Sequence, residues 1–388
     1  MRPFNPNLNE YDDSEVSKLF QSPKMTRPGN INFGIGMMVF PTPAPISEAS
    51  KEALDRGMTF YAPTMGHPAL REVIAKACRQ EYGVEFQEAE VMVTPAGTNG
   101  LFMALMALVG PGDEVLYPDP GFPAYLPQVV LAGAKPIAYP LEEEDGFVPD
   151  PREVEARLSS KTKAIILNSP SNPQGIITPR PILEKIARLA IGNDLTVISD
   201  EAYKHIVYPP HRHESIVSLP GMKERTIIAC TLSKSFSMTG WRLGYLIAPK
   251  MVMAPLFKVF QYTMTGVNSF IQMGAKVAIE RGEEFYQGIV KAMTPRRNLM
   301  IDGLRGISGI SFCEPQGAFY VFVNIRRTGL SSSEISEKLL DDHSLITFPG
   351  SAFGNRGEGY LRLSYAIEVE KIKEGLKRFR SCLGTLMR

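Results

Sequence analysis

Lys234 stands in the stretch "TLSKSFSMTGWRLGY", directly after an apolar strand-like run and eight residues before Arg242. Two other polar residues hold the same kind of place: Asn172 follows "AIILNSPS", and Asp200 follows "LTVIS". The gaps are 28 residues from Asn172 to Asp200 and 34 from Asp200 to Lys234, each about one strand–helix–strand unit. Side chains spaced in this way can line one rim of an open α/β sheet, and ligands bind outside the carboxyl ends of such strands. A partly desolvated lysine there can form an imine with an aldehyde. A carboxylate ending a buried strand is costly without a positive partner, so Asp200 is either solvated or paired with a cation, on the protein or on a ligand.

Each of these residues also has a plain structural reading. A lone lysine is mostly a solvated surface residue. The Asn172-Pro-Gln-Gly turn needs no function to form. Gly97 and Gly100 in "AGTNG" make a commonplace turn before a helix, and Phe122 in "GFPAY" suits a core as well as a ligand face. Their common position after successive strands is what favours a site. The helix start at 97–99 then offers free backbone N–H groups and a positive dipole end to a phosphate. Arg242 adds a planar fork, and the hydroxyls beside Lys234 add donors. Phe122 can stack on an aromatic ring, and Asp200 can keep a pyridine nitrogen protonated so that the ring becomes an electron sink. These are the requirements of pyridoxal 5′-phosphate.

The elements that must position them alternate along the chain. "HPALREVIAKACRQEYG" has helical periodicity ended by glycine; "EVMVTPAG" is strand into turn; "TNGLFMALMALVGPGD" is an apolar helix closed by Gly-Pro-Gly. Short aliphatic runs follow at "EVLYPDP", "KPIAYPL", "KAIILN", "LTVISD", "RTIIAC" and "RLGYLIAP", several separated by helix-length stretches. Strands alternating with helices mean a mostly parallel sheet covered on both faces, an α/β fold. After about residue 280, charged helices and then "GAFYVFVNI" and "GYLRLSYA" read as a smaller α+β domain. The expected division is 1–45 as an N-terminal segment completing the small domain, 46–280 as the large cofactor-binding domain and 281–388 as the small domain.

Composition sets outer bounds. A chain of 388 residues exceeds the usual size of one hydrophobic core, so two domains are the default. A formal net charge of +1 gives no support for binding nucleic acid or a membrane surface through bulk electrostatics. The four cysteines lie far apart with no metal-ligand spacing, and Cys78 and Cys230 sit in apolar patterns that suit free buried thiols. The opening "MRPFNPNLNEYDD" lacks a signal-peptide core, and no run is long enough for a membrane helix. The expectation is a cytoplasmic enzyme without metal. The five histidines suggest no metal cluster, and "HRH" at 211–213 reads as an exposed loop.

With these residues in view, the chain resembles the fold-type I pyridoxal-phosphate enzymes, in particular the class I/II aminotransferases of the aspartate aminotransferase superfamily, over about residues 30–380. "SKSFSMTGWRLGY", "NSPSNPQG" and "SDEAY" carry the resemblance, in that family's order and spacing. It implies a seven-stranded-type, mostly parallel sheet and transfer of an amino group from an L-amino acid to a 2-oxo acid, with 2-oxoglutarate the expected acceptor, through a Lys234 imine and a pyridoxamine phosphate form. By position, Lys234 becomes the imine lysine and then the base. Asp200 pairs with the pyridinium nitrogen, Asn172 and Tyr203 bond the ring's phenolic oxygen, and Phe122 stacks on the ring. Gly97, Thr98, Thr231, Ser233 and Arg242 hold the phosphate. Tyr61 reaches the phosphate of a neighbouring subunit, implying a homodimer with shared sites. Arg362 clamps the substrate α-carboxylate, with Gly36 beside it. Tyr262 and Asn268 are placed to approach the partner's site.

Some positions depart from the family pattern. Met37-Met38-Val39-Phe40 stands where an acidic–Pro–Asp–Phe pattern is usual, which opens the question of substrate and leaves core packing as the other reading of the Met pair. Ala96 replaces a frequent serine. Thr98 lies where some members carry a lysine for a distal carboxylate, weighing slightly against a dedicated dicarboxylate enzyme. The competing readings are a lyase, decarboxylase or cyclase on the same cofactor shell, and a non-catalytic sensor fused to a DNA-binding module, for which the segment before residue 30 is too short. A serine acyl-transfer site at Thr231-Leu-Ser-Lys234 lacks its partner motifs.

Overall fold

The computed structural model describes residues 21–386, so residues 1–20 of the N-terminal segment lie outside the described part. A short strand, β1 (Ile31–Asn32), is followed by seven strands that form one sheet: β2 (Val91–Thr94), β3 (Glu114–Asp119), β4 (Lys135–Pro140), β5 (Thr162–Asn168), β6 (Thr196–Asp200), β7 (Thr226–Thr231) and β8 (Gly244–Ile247). Their order is β2-β8-β7-β6-β5-β3-β4. Strand β8 runs antiparallel to both neighbours, and every other pairing is parallel. The mostly parallel sheet read from the alternating pattern is therefore present. Its central strands are apolar throughout because both faces are covered: Ile165, Ile166, Val197, Ile198, Ile227 and Ile228 are all buried.

The covering helices begin with α1 (Ala44–Asp55), α2 (Pro68–Tyr82), α3 (Ala96–Leu108), α4 (Tyr125–Leu131), α5 (Pro151–Glu155) and α6 (Arg180–Gly192). The single turn α7 (Leu232–Ser235) carries Lys234, and α8 (Lys250–Thr263) and α9 (Ser269–Glu280) complete this half. Helix α3 is almost uniformly apolar because it packs against β7, β8 and α8. Helix α2 ends at Gly83, which takes the left-handed conformation expected of a helix-terminating glycine.

The remainder is built on a four-stranded antiparallel sheet ordered β12 (Phe348–Pro349), β13 (Tyr360–Ser364), β10 (Tyr320–Asn324) and β9 (Ser311–Phe312). The long α10 (Gly282–Arg305), α11 (Ser332–His343) and α12 (Val369–Leu386) pack around it. Strand β1 pairs in parallel with β11 (Leu345–Ile346), so the chain start is joined to this later half. Ile31 and Phe33 enter the same buried cluster as Tyr320, Leu363 and Phe379. Among the described residues, no helix is long and apolar enough to cross a membrane. The cysteines there are free thiols, with Cys78 and Cys230 buried as expected.

Candidate active site

Strands β5, β6 and β7 end side by side, and their register sets Asn168 against Asp200 and Asp200 against Ala229. Parallel pairing thus turns sequence gaps of about thirty residues into neighbouring strand ends. Beyond these ends lies a cavity of about 290 Å³. It is lined by Lys234, Asp200, Asn172, Tyr203 and Phe122, by Gly97, Thr98, Thr231, Ser233 and Arg242, and by Gly36 and Arg362. Tyr61, Tyr262 and Asn268, the residues expected to reach a partner's site, do not line it; Tyr61 is 90% exposed. Tyr262 and Asn268 are also exposed, on a segment next to the Tyr61 loop, where Ser269 Oγ donates to the carbonyl of Phe60.

Lys234 Nζ donates to the carbonyl of Gly36 at 2.5 Å. Burial lowers its pKa to about 8, and the positive charges of Arg362 and Arg242 push the same way. At pH 7 about a tenth is therefore a neutral, nucleophilic amine, far more than for a lysine at its ordinary pKa. Asp200 is buried, and burial raises its pKa to about 6 against the pull of two hydrogen bonds. These come from Tyr125 Oη at 2.7 Å and the Ala202 N–H at 3.1 Å. Among the described residues, no lysine, arginine or histidine forms an ion pair with Asp200. Of the two readings for Asp200, exposure to bulk water fails, and the described protein residues supply no positive partner.

The phosphate cradle follows from local backbone geometry. No side chain caps α3, so its first N–H groups face the cavity end without intrahelical acceptors. Strand β8 passes so closely that a Cβ on Gly244 would lie 2.5 Å from the Cys230 carbonyl oxygen and 2.7 Å from the Gly97 nitrogen. Thr231 caps the α7 turn by accepting from the Ser233 N–H, and its hydroxyl donates to Ser233 Oγ at 2.9 Å. Arg242 sits in the left-handed region, and among the described residues its guanidinium donates to the Thr239 carbonyl alone. Donors, dipole and an exposed guanidinium converge where a phosphate dianion would sit.

Arg362 is held on β13 opposite Phe322 of β10, and its guanidinium is buried. Its Nη1 donates to Asn172 Oδ1 at 3.0 Å and its Nη2 to the Gly34 carbonyl at 2.6 Å, while Nε is buried without a partner. The rings of Tyr320, Phe353 and Phe348 lie 4.2, 4.8 and 4.9 Å from its central carbon. Asn172 is itself fixed, because its N–H donates to Asn168 Oδ1 at 2.8 Å.

Sequence reasoning gave no role to Tyr125, Asn168, Tyr320, Phe348 or Phe353, although "GFPAY" and "GAFYVFVNI" contain two of them. Nothing local marks them: each is an aromatic or amide residue of the kind that fills cores. The "HRH" reading needs a correction as well. His211 and Arg212 are exposed, but the His213 side chain is buried, with Nε2 3.2 Å from Glu201 Oε2. The reason is Glu201, which is fully buried beside Asp200 and needs positive and hydrogen-bonding neighbours. It receives Tyr82 Oη at 2.6 Å, Ser199 Oγ at 2.9 Å and Ser215 Oγ, and the neighbouring His213, then Lys204 and the Ser215 hydroxyl, hold its pKa down to about 2 against burial. The Met pair divides: Met38 is buried in the cluster with Phe33 and Tyr320, as core packing requires, whereas Met37 is 43% exposed.

An activated lysine, a buried carboxylate lacking a protein cation and an uncapped helix start define a fold-type I site fitted to pyridoxal phosphate. Comparison with known proteins gives the same answer. Residues 28–379 match the family described as Aminotransferase class I and II. The chain is 41% identical over 379 residues to an aspartate aminotransferase of Pyrococcus abyssi, covering 97% of each. It is 40% identical, again over 97% of each, to aromatic-amino-acid aminotransferase 2 of Thermococcus litoralis. The crystal structure of an aromatic aminotransferase from Pyrococcus horikoshii superposes with a TM-score of 0.90 at 42% identity, covering 92% of this chain and 97% of that one.

The chain belongs to the class I and II aminotransferase family. It is a pyridoxal-phosphate-dependent enzyme that transfers amino groups between small-molecule amino and keto acids.

Proposed function

We propose that this enzyme moves the amino group of an L-amino acid to 2-oxoglutarate, that Lys234, Asp200 and Arg362 carry the reaction, and that aromatic and other apolar side chains are its preferred donors. The observation that supports the assignment most directly is Asp200, a buried carboxylate supplied with a phenol and an N–H but no protein cation. When bound, pyridoxal phosphate supplies an aldehyde for the amino group and a ring that accepts the electron pair left at the α-carbon. Asp200 would hold the ring nitrogen as its cationic partner, and the start of α3, Ser233 and Arg242 would hold the phosphate. Asn172 and Tyr203 would face the ring's phenolic oxygen, with Phe122 against the ring.

The chain's own groups then divide the work. Arg362 fixes the α-carboxylate through its fork, with the three aromatic rings limiting its rotation. Lys234, unprotonated at Nζ for a useful fraction of the time, takes the proton from the α-carbon. In the same half-reaction Nζ would pass that proton to the carbon contributed by the cofactor's aldehyde, which leaves the amine free again. The apolar walls exclude water, which strengthens each electrostatic contact. Phe122, Tyr320, Phe348 and Phe353 shape the space beside Arg362, which supports aromatic donors. Both an aspartate and an aromatic aminotransferase are among the relatives, so the donor class is the part that experiment has to decide.

We also read the chain as a large domain over 46–280 and a small one over 281–388 completed by residues 1–45, a division supported by the β1–β11 pairing. The homodimer reading is supported by large aromatics 80–90% exposed, Phe60 and Tyr61 on a loop and Tyr262 in the last turn of α8. The testing experiment adds single amino acids, without an oxo acid, to the yellow holoenzyme. Bleaching of the visible band by phenylalanine or tyrosine more readily than by aspartate supports the reading, and the reverse order replaces the donor class. Release of ammonia or carbon dioxide in place of a 2-oxo acid would overturn transamination.

A further inference from the structure

The structure assigns the hydroxyl of Tyr320, whose ring has so far served only to pack beside Arg362, a further part: it makes Tyr320 a positioning residue that aims the hydroxyl proton of Tyr203 at the cofactor's phenolic oxygen. The inference rests on the proposed role of Tyr203. Tyr320 lies on β10 and is 1% exposed. Its hydroxyl is 3.1 Å from the hydroxyl of Tyr203, and the two rings meet edge to face at 5.7 Å. Both hydroxyls are buried, so neither proton is free to face bulk water.

Each phenol has one hydrogen to donate. The Tyr203–Tyr320 bond consumes one of the two, and the direction decides which. If Tyr203 donates to Tyr320, nothing remains for the ring oxygen. For Tyr203 to donate into the cavity, Tyr320 has to be the donor within the pair. Two surroundings of Tyr320 favour that direction. The Arg362 cation lies 4.2 Å from its ring centroid and makes the phenol a stronger donor. A Cβ on Gly36 would come within 2.7 Å of its hydroxyl oxygen, so the backbone that receives Lys234 closes over this side. A hydroxyl that accepts one hydrogen bond while donating another is polarised and donates more strongly.

The consequence is readable without turnover. Donation to the phenolic oxygen favours its ionised form, and so sets the pH at which the holoenzyme's visible band changes. Tyr320→Phe keeps the ring over Arg362 and removes only the donor. The test titrates the visible band of the wild-type holoenzyme, Tyr203→Phe, Tyr320→Phe and the double variant. Tyr208→Phe serves as control, since Tyr208 is an equally buried phenol that donates to the Ala318 carbonyl away from the cavity. The expected result is an upward shift of the midpoint in Tyr320→Phe by roughly 0.3–0.6 pH unit, smaller than in Tyr203→Phe. The shift vanishes when Tyr203 is already phenylalanine. A midpoint that does not move in Tyr320→Phe, or the same shift in the presence and absence of the Tyr203 hydroxyl, overturns the inference. A wild-type band with normal titration that is also indifferent to Tyr203→Phe would instead remove the Tyr203 role beneath it, and with it this inference.

Discussion

At the scale of single residues, the site is defined by charges that the fold leaves deliberately incomplete. Asp200 has its carboxyl raised to about 6 by burial, so the folded chain binds that proton more readily than the unfolded one. Its stability contribution is therefore full below about pH 4 and is lost as pH rises through about 6. Asp200→Asn removes the loss. The cofactor-free variant is expected to gain on the order of 2–3 kcal/mol over its parent at pH 8 and far less at pH 4.5, measured by thermal unfolding. The same variant binds pyridoxal phosphate more weakly, and equal melting curves at both pH values would contradict the argument. Arg362 illustrates geometry over charge: Arg362→Lys keeps the cation but loses the fork. KM for the amino donor is expected to rise tenfold or more, on the order of 1.5–3 kcal/mol, with the visible spectrum of the holoenzyme retained.

At the scale of elements, strand ends and helix starts do the positioning. Gly244→Ala would drive a Cβ into the Cys230 carbonyl and the Gly97 nitrogen, backbone atoms that cannot step aside. Gly303→Ala on α10 makes an equally short contact, 2.4 Å, but with the end of the flexible Leu376 side chain. Cofactor affinity is accordingly expected to fall sharply in Gly244→Ala and to stay near the parent value in Gly303→Ala, as equilibrium dialysis would report. Behind the rim, Lys204 ties α2 to the Asp200 loop: its ammonium donates to Glu81 and, at 2.7 Å, to Tyr82 Oη, which in turn donates to Glu201. His205 makes the parallel link, from Glu81 Oε1 at 2.8 Å to Ser235 Oγ at 3.2 Å, next to Lys234. Lys204→Met leaves Glu81 short of its charge partner and is expected to cost about 3–5 kcal/mol in denaturant unfolding. A loss below 1 kcal/mol would mean that the network is not what anchors this loop.

At the scale of the whole molecule, the cavity takes residues from distant parts of the chain: Gly36 from its start, Arg362 from β13 and Lys234 from between them. Tyr61 is exposed and does not line this chain's own cavity, which gives the dimer reading a functional test. Neither Lys234→Ala nor Tyr61→Ala subunits alone form a complete site. Mixed dimers carry one site with both residues intact, so mixing the two variants after mild dissociation is expected to restore transamination. No recovery in verified mixed dimers would exclude shared sites.

The alternation of aliphatic runs and amphipathic helices was enough to specify the covered parallel sheet, because buried strands have to be apolar on both faces. The gaps between Asn172, Asp200 and Lys234 also placed these residues on one rim, since each gap matches one crossover unit. What only the tertiary structure decided are contacts between residues with no fixed separation in the chain. Tyr125 reaches Asp200 across 75 positions, Tyr320 reaches Tyr203 across 117, and Arg362 reaches Asn172 across 190. Local pattern carries periodicity and turn chemistry, but it holds no record of which side chains meet when separate strands converge. For the same reason His213 read as part of an exposed loop: its partner Glu201 stands on another segment, and only folding brings the buried carboxylate against it.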